Sequence, residues 1–434
     1  MPATVNGYIK SEEILFGLDV ALRCQPGAAT LCNWRDLLSG KLSFEGYYAQ
    51  MSPQDELTCL TLDTTGECDL SCRECYYHPN ILLNRTEAPL ESVFAAIEDA
   101  SLDLNLKTLV IAGKEPFFNP HRLFEILKHA GSYKNRSYRI GITTNGRHIN
   151  SHWNRLEHAA SQGWLDYLDV SIDSGFSGQH DAIRGVPGTY ELAVTAVRDV
   201  AEKMPQLQPF ICSRLRSDNS DGVLELLCRQ SDLIRRFWIC PIQPPPFSEM
   251  LPLGNNFIVA FLHKLISLME DQLSGREIEV TVPLQGLHLS EAIESGLFNW
   301  QDLREDDAGT CYVPIVAGKN ELIITCSILP EHAWKLARIT YAGDYLAQMH
   351  FLQAPDPARH AVGNIATQSI KELYRKSKQP GGVLHHLCLA RTSHECRQQS
   401  CWGHCFGGWS IAEQSLLDGT AVYRKPRFCV KHAN

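Results

Sequence analysis

The chain has 434 residues with a formal net charge of −9, 44% hydrophobic and 21% charged residues. These values suit a globular protein large enough for a main catalytic domain and a smaller one. The acidic balance argues against nucleic acid as partner. The first twenty residues lack a basic segment followed by an apolar run, and no apolar stretch is long enough to span a bilayer, so a cytoplasmic protein without a membrane role is expected. In that compartment thiols stay reduced, and 16 cysteines read as metal ligands or buried thiols rather than disulfides.

Residues 1–56 give weak signals and are read as an N-terminal extension. From Leu57 strands alternate with amphipathic helices. The expected strands are Leu57–Leu62, Lys107–Ala112, Arg139–Thr143, Tyr167–Ile172, Pro209–Leu215 and Arg236–Ile239. The helices between them are Glu91–Leu104, His121–Ala130, His152–Gln162, Tyr190–Lys203 and Asp221–Leu233. This alternation predicts right-handed βαβ units and an α/β fold: a partial (β/α)6 TIM-like barrel over residues 57–245. Residues 246–305, with a helix at Phe257–Leu273, read as a linker or helical bridge. Residues 306–434 are richer in Gly and Cys, with a hairpin of Tyr312–Val316 and Glu321–Thr325 around Gly318-Lys319-Asn320, and read as a small Cys-rich domain needing a metal staple.

In such barrels ligands gather beyond the C-terminal strand ends. Cys68, Cys72 and Cys75 follow the first strand, Gly113-Lys114-Glu115-Pro116 the second and Thr144-Asn145-Gly146 the third, while Ser171-Ile172-Asp173 closes the fourth. Three thiolates within eight residues can wrap one metal centre. Structural zinc and iron–sulfur clusters both normally take four ligands, so three cysteines leave one iron open to a cofactor or leave zinc short of a ligand.

The C-x3-C-x2-C spacing, the Gly-Lys-Glu-Pro segment, the two following strand-end motifs and His180-Asp-Ala-Ile-Arg184-Gly together resemble the radical S-adenosylmethionine (SAM) superfamily. The resemblance implies a 4Fe–4S cluster on Cys68, Cys72 and Cys75 whose open iron chelates SAM and whose electron splits it to a 5′-deoxyadenosyl radical. It also implies cofactor contacts from Gly113, Lys114, Glu115, Pro116, Thr144, Asn145, Ser171, Asp173, Arg184 and Tyr76, with adenine near Pro241. The sequence departs from the family at Glu74, where an aromatic residue is usual, and at Lys114, where the family has a second glycine.

The C-terminal cysteines, with Val362-Gly-Asn-Ile365 and Cys401-Trp-Gly-His-Cys405, resemble the SPASM extension of peptide-modifying radical SAM enzymes, which carries two auxiliary 4Fe–4S clusters. The resemblance assigns Cys311, Cys326 and Cys405 to the first auxiliary cluster and Cys388, Cys396, Cys401 and Cys429 to the second, making three clusters in all. No cysteine lies between Cys240 and Cys311, so the first auxiliary cluster has an open iron or borrows a carboxylate such as Asp307; His394 is a substitute ligand for the second. A zinc-stapled domain is the alternative reading of the same cysteines.

The implied function is oxidation of a ribosomally made peptide, with cross-link formation. Ser327 stands where sulfatase-maturating relatives have a basic Asp, which disfavours formylglycine formation. Acid–base candidates are Asp173, Glu249, Tyr312 and His404. The segment before Leu57 reads as too short and irregular for a leader-peptide domain. A radical oxidase, epimerase or deoxygenase of a sugar or cyclitol is the second hypothesis, and a non-catalytic metal-binding adaptor the third. An external electron donor such as flavodoxin or ferredoxin is implied, and a monomer is the default.

Overall fold

The structure, a computed structural model, describes residues 11–77, 85–134, 136–242, 253–284, 286–326, 334–354 and 356–389. Its core is a parallel run of strands, each returning through a helix: β1 (Cys59–Asp63), α4 (Leu90–Asp103), β2 (Thr108–Ala112), α5 (Pro120–Ser132), β3 (Arg139–Thr144), α6 (Trp153–Ser161), β4 (Tyr167–Ser171), α7 (Ser177–Arg184), α8 (Thr189–Lys203), β5 (Gln208–Leu215), α9 (Ser220–Gln230) and β6 (Arg236–Pro241). Strands β1 to β6 lie side by side in chain order, all parallel. This is the winding expected of a partial TIM-like barrel, and the expected elements agree to within two or three residues.

Period-two alternation gives the sheet two unlike faces. Leu60, Leu109, Ile140, Leu168, Ile211 and Ile239 are sealed in one core with the helices. Burying each such side chain contributes roughly 1.5–3 kcal/mol. The alternate residues, among them Thr61, Val110, Thr143, Ser171 and Cys212, stay half-buried on the inner face, and Trp238 is 43% exposed.

Outside the run from β1 to β6 three expectations change. The bridge contains α10 (Asn255–Asp271) but also β7 (Glu279–Leu284), which joins β6 in parallel, and then α11 (Gly286–Glu294). Buried Val280, Val282 and Leu284 alternate with the half-buried Glu279, Thr281 and Pro283, so the strand signal was present but short. The Cys-rich part enters the same sheet at both edges. After the two-residue β8 (Arg304–Glu305), the hairpin β9 (Cys311–Ala317) and β10 (Asn320–Cys326) forms where expected, and β10 lies parallel to β7. At the other edge β11 (Leu336–Ile339) pairs in parallel with β1, followed by β12 (Asp344–Leu346) and β13 (Gly363–Asn364). Gly363 and Asn364 form that short strand; the helix, α12 (Ile370–Lys378), begins after a Ser369–Glu372 capping box and is followed by α13 (Val383–Leu389).

The third change is at the N-terminus. Residues expected to be irregular form α1 (Ser11–Cys24), α2 (Ala29–Ser39) and α3 (Phe44–Met51). Ile14, Leu18, Ala21, Leu31 and Trp34 are fully buried. Their apolar stripes are short and interrupted by Gly and Cys, which hid the period. The helices dock on the C-terminal half: the Glu305 carboxylate accepts from the backbone of Thr30 at 2.9 Å and Leu31 at 3.2 Å, and Tyr48 Oη donates to Lys378 O at 2.5 Å.

Candidate functional site

The segment between β1 and α4 carries Cys68, Cys72 and Cys75, all half-buried. It is fastened to the ends of the neighbouring strands. Gly113, just after β2, has φ +122°, and a Cβ there would sit 3.0 Å from Thr65 O, so this approach requires glycine. Glu115 N then donates to Glu67 O at 3.1 Å.

Glu115 itself is fully buried. Its carboxylate accepts from Thr144 Oγ1 at 2.7 Å, Asn145 N at 2.8 Å and Phe117 N at 3.1 Å. Burial raises its pKa, and these three donors oppose that rise. The side chains of Glu115 and Thr144 therefore join the β2 and β3 ends to each other. Lys114 lies half-buried beside them, and Pro116 is buried in a 3₁₀ turn.

The β3 end grips the loop next. Asp69 meets Arg147 Nη1 at 2.7 Å, His148 Nε2 at 3.0 Å and Asn145 Nδ2 at 3.2 Å. Asn145 Nδ2 also lies 3.9 Å from Cys68 Sγ, which accepts from Leu70 N at 3.4 Å. The end of α7 forms a third anchor. Ser71 N donates to Arg184 O at 3.2 Å and Ser71 Oγ to Gly185 O at 3.1 Å. Gly185 has φ +76°, and a Cβ there would fall 2.4 Å from Ser71 O.

Asp173 and Arg184 form an ion pair at 2.8 Å. Asp173 Oδ1 also accepts from Arg214 N at 2.8 Å, and Asp173 N donates to His180 Nδ1 at 3.1 Å. Both carboxylate oxygens of Asp173 are thus engaged, which weakens its case as an acid–base group. Arg184 extends to Cys72 as well: burial works against its charge, but Asp173 and Cys72 more than offset that. Burial raises the Cys72 thiol, and the Arg184 charge opposes the rise; burial pushes Cys68 up to about 12.

Glu74 replaces the family's aromatic residue with a salt bridge. Its side chain is nearly buried and pairs with Arg216 at the end of β5 and with Arg73 at 2.8 Å, and Arg216 continues to Asp218 at 2.8 Å. Tyr76 is half-buried and packs with Cys75 against the apolar cluster of Tyr77, Tyr341 and Phe351. Tyr77 Oη donates to Asp63 Oδ1 at 2.9 Å, and Arg338 on β11 reaches the same oxygen at 2.6 Å. The loop is thereby tied to the C-terminal edge strands too.

Ser171 lies half-buried at the end of β4, opposite Cys212. On the hairpin, Cys311 and Cys326 are cross-strand partners and both are buried. Tyr312 is half-buried opposite Thr325, and Asp307 is exposed in the turn before β9. Cys388 is buried on α13, its thiol 3.6 Å from Phe44 O on α3. Cys396, Cys401, Cys405, Cys429, His394, His404, Glu249 and Ser327 lie outside the described residues. Sequence reasoning missed the Asp69 clasp, the Glu74–Arg216 pair and Asp169. The last had a signal: a lone acid between Leu168 and Val170 inside an apolar strand.

The radical SAM superfamily model matches residues 62–213. Pre-heme d1 synthase of Dinoroseobacter shibae is 29% identical over 137 residues, which is 31% of either chain, so the chain spans about a third of the length of that curated relative. Two solved structures share the fold. SuiB of Streptococcus suis bound to the precursor peptide SuiA has a TM-score of 0.63 at 13% identity, covering 92% of this chain and 80% of that one. anSMEcpe with bound AdoMet has a TM-score of 0.54 at 17% identity, covering 87% and 94%.

The superfamily implies one 4Fe–4S cluster and SAM. Among the described residues no three His, Cys, Asp or Glu side chains converge on a single-ion site. A four-iron cluster is wider than one ion and takes its thiolates from separated points on a loop. The donor set fits it: three half-buried cysteines on one fastened loop, whose thiols a bound metal would keep deprotonated. The residues that match the model, 62–213, run from β1 through β5 and include this loop, so the chain carries a radical SAM domain over these residues.

Proposed function

We propose that the chain cleaves SAM at the Cys68–Cys75 loop and uses the resulting radical to oxidise a ribosomally made peptide, forming a cross-linked product. The observation that carries this reading is the loop's attachment to the ends of β1, β2, β3 and β5 and to the end of α7, through Asp63, Glu115, Asn145, Arg216 and Gly185. A bound 4Fe–4S cluster with SAM supplies a 5′-deoxyadenosyl radical that abstracts a hydrogen atom. The residues of the chain position that chemistry. Cys68, Cys72 and Cys75 would ligate the cluster, with Asn145 and Arg184 beside two of the sulfurs. Gly113 to Pro116, Ser171 and Pro241 would frame the nucleoside and methionine parts, and the half-buried inner face of β2 to β6 would receive the substrate.

Oxidation needs an electron acceptor. Cys311 and Cys326, adjacent across the hairpin, would hold part of a first auxiliary cluster with Cys405; Cys388, Cys396, Cys401 and Cys429 would hold a second. A peptide substrate is supported by the likeness in fold to SuiB, whose structure contains its precursor peptide. The N-terminal helices α1 to α3 change one argument: an ordered unit exists there that could serve a leader peptide.

The test is anaerobic reconstitution with iron and sulfide, then incubation with SAM, reductant and a short peptide encoded beside the gene. About twelve irons per chain and a peptide lighter by two hydrogens are expected. Zinc without iron, or a modified sugar in place of a peptide, would overturn the reading.

A further inference from the structure

The proposed oxidation releases a proton as well as an electron, and a buried acid on the inner face of the barrel is placed to take it. Asp169 lies on β4, opposite Thr143 on β3 and Phe210 on β5. It is 7% exposed. Its Oδ2 accepts from Thr143 Oγ1 at 3.1 Å, while its Oδ1 is buried with no hydrogen-bond partner. A buried carboxylate oxygen without a donor is costly unless the group can hold a proton.

Neighbouring carboxylates differ. Both oxygens of Asp173 and both of Glu115 are engaged. Asp63 also has an oxygen without a partner, but Arg338 neutralises its charge. The charged and titratable groups facing Asp169 are Tyr167 on its own strand, Arg214 and Cys212 on β5, Cys240 on β6 and Arg184 on α7. Arg184 is already paired with Asp173. Burial pushes the Asp169 carboxyl up to about 7, with Thr143 and the two arginines opposing the rise. It can therefore change protonation state at neutral pH, as a proton acceptor must.

We propose that Asp169 is the proton acceptor for substrate oxidation, with the half-buried Thr143 hydroxyl linking it to the inner face of the barrel. The proposal rests on the oxidative reading above. For a substrate carbon radical facing an X–H group of a second side chain, one electron passes to an oxidised iron–sulfur cluster, the X–H proton passes to Asp169, and a C–X single bond forms. Neither Asp173 nor Tyr312 is needed for this step.

The test uses the full chain with Asp169→Asn and Thr143→Val. Infrared titration of the metal-free protein should show two carboxyls losing their protons near pH 7 in the wild type, Asp169 and Glu294 on α11, only one in Asp169→Asn, and a higher midpoint for one of the two in Thr143→Val, where Asp169 loses a stabilising donor. In the reconstituted enzyme, Asp169→Asn should still form 5′-deoxyadenosine but make oxidised product at least about a hundredfold more slowly, without the wild-type loss of rate below pH 7. Wild-type product rates and pH profile in Asp169→Asn, or a neutral-pH carboxyl signal that Asp169→Asn leaves unchanged, would overturn the assignment. If the wild type forms no 5′-deoxyadenosine, the functional reading itself fails and the role of Asp169 falls with it. If 5′-deoxyadenosine forms and only the assignment is wrong, the two variants behave as wild type.

Discussion

Two of the cysteine sites within the described residues are built by opposite means. The Cys68–Cys75 loop has no ladder of its own and is held by polar ties: Asp69 to Arg147 and His148, Ser71 to Gly185, Glu74 to Arg216, Tyr77 to Asp63 and Arg338. Cys311 and Cys326 instead sit on a regular hairpin, opposite each other, among apolar neighbours such as Val313, Leu322 and Ile324. Polar ties are directional, so they suit a loop that must present three sulfurs and leave room for a ligand. A hairpin fixes two side chains through backbone pairing and needs no such ties.

The comparison predicts different responses to mutation. The largest expected loss is on the hairpin. Leu322 is fully buried, and Leu322→Ala should destabilise the fold by about 4 kcal/mol in chemical denaturation. A loss below about 1 kcal/mol would show that apolar burial does not hold this edge. On the loop side, Arg216→Met leaves Glu74 buried without its main partner and should cost on the order of 3 kcal/mol. Adding Glu74→Leu should recover much of that loss. If the double variant is no better than the single one, the pair is not a unit.

Acid should act on the loop side. His180 is buried beside the Asp173–Arg184 pair, and burial lowers its pKa to about 4. The unfolded chain binds that proton near the ordinary histidine value of about 6.5. Between those values the unfolded state holds more protons, so stability falls as pH falls, by up to about 1.4 kcal/mol per pH unit from this one group. Denaturation midpoints stepped through this window should decline less steeply in His180→Gln. Equal slopes would remove His180 from the account.

The barrel was readable from sequence because each strand and helix has its own period, and the six strands fall in chain order. Three things were harder. The N-terminal helices carry short apolar stripes broken by Gly17 and Cys32, so no single window showed a clear face. Strand β7 is six residues long inside a stretch dominated by a longer helix. The pairing of β11 with β1 joins residues nearly 280 positions apart, which local pattern does not encode. At the site, the cysteines and the Gly-Lys-Glu-Pro turn were legible because their chemistry depends on residue type and spacing. The roles of Glu115 and Asp173 as fasteners were not, because only the fold shows that their oxygens are already engaged. Asp169 was visible as an acid in an apolar strand, but its free oxygen required the structure.

The most direct test of the cofactor-cleaving loop is formation of 5′-deoxyadenosine by the anaerobically reconstituted chain with SAM and dithionite, compared among wild type, Cys72→Ala and Cys326→Ala. The account predicts product from wild type and from Cys326→Ala, and none from Cys72→Ala. Undiminished 5′-deoxyadenosine from Cys72→Ala would contradict it.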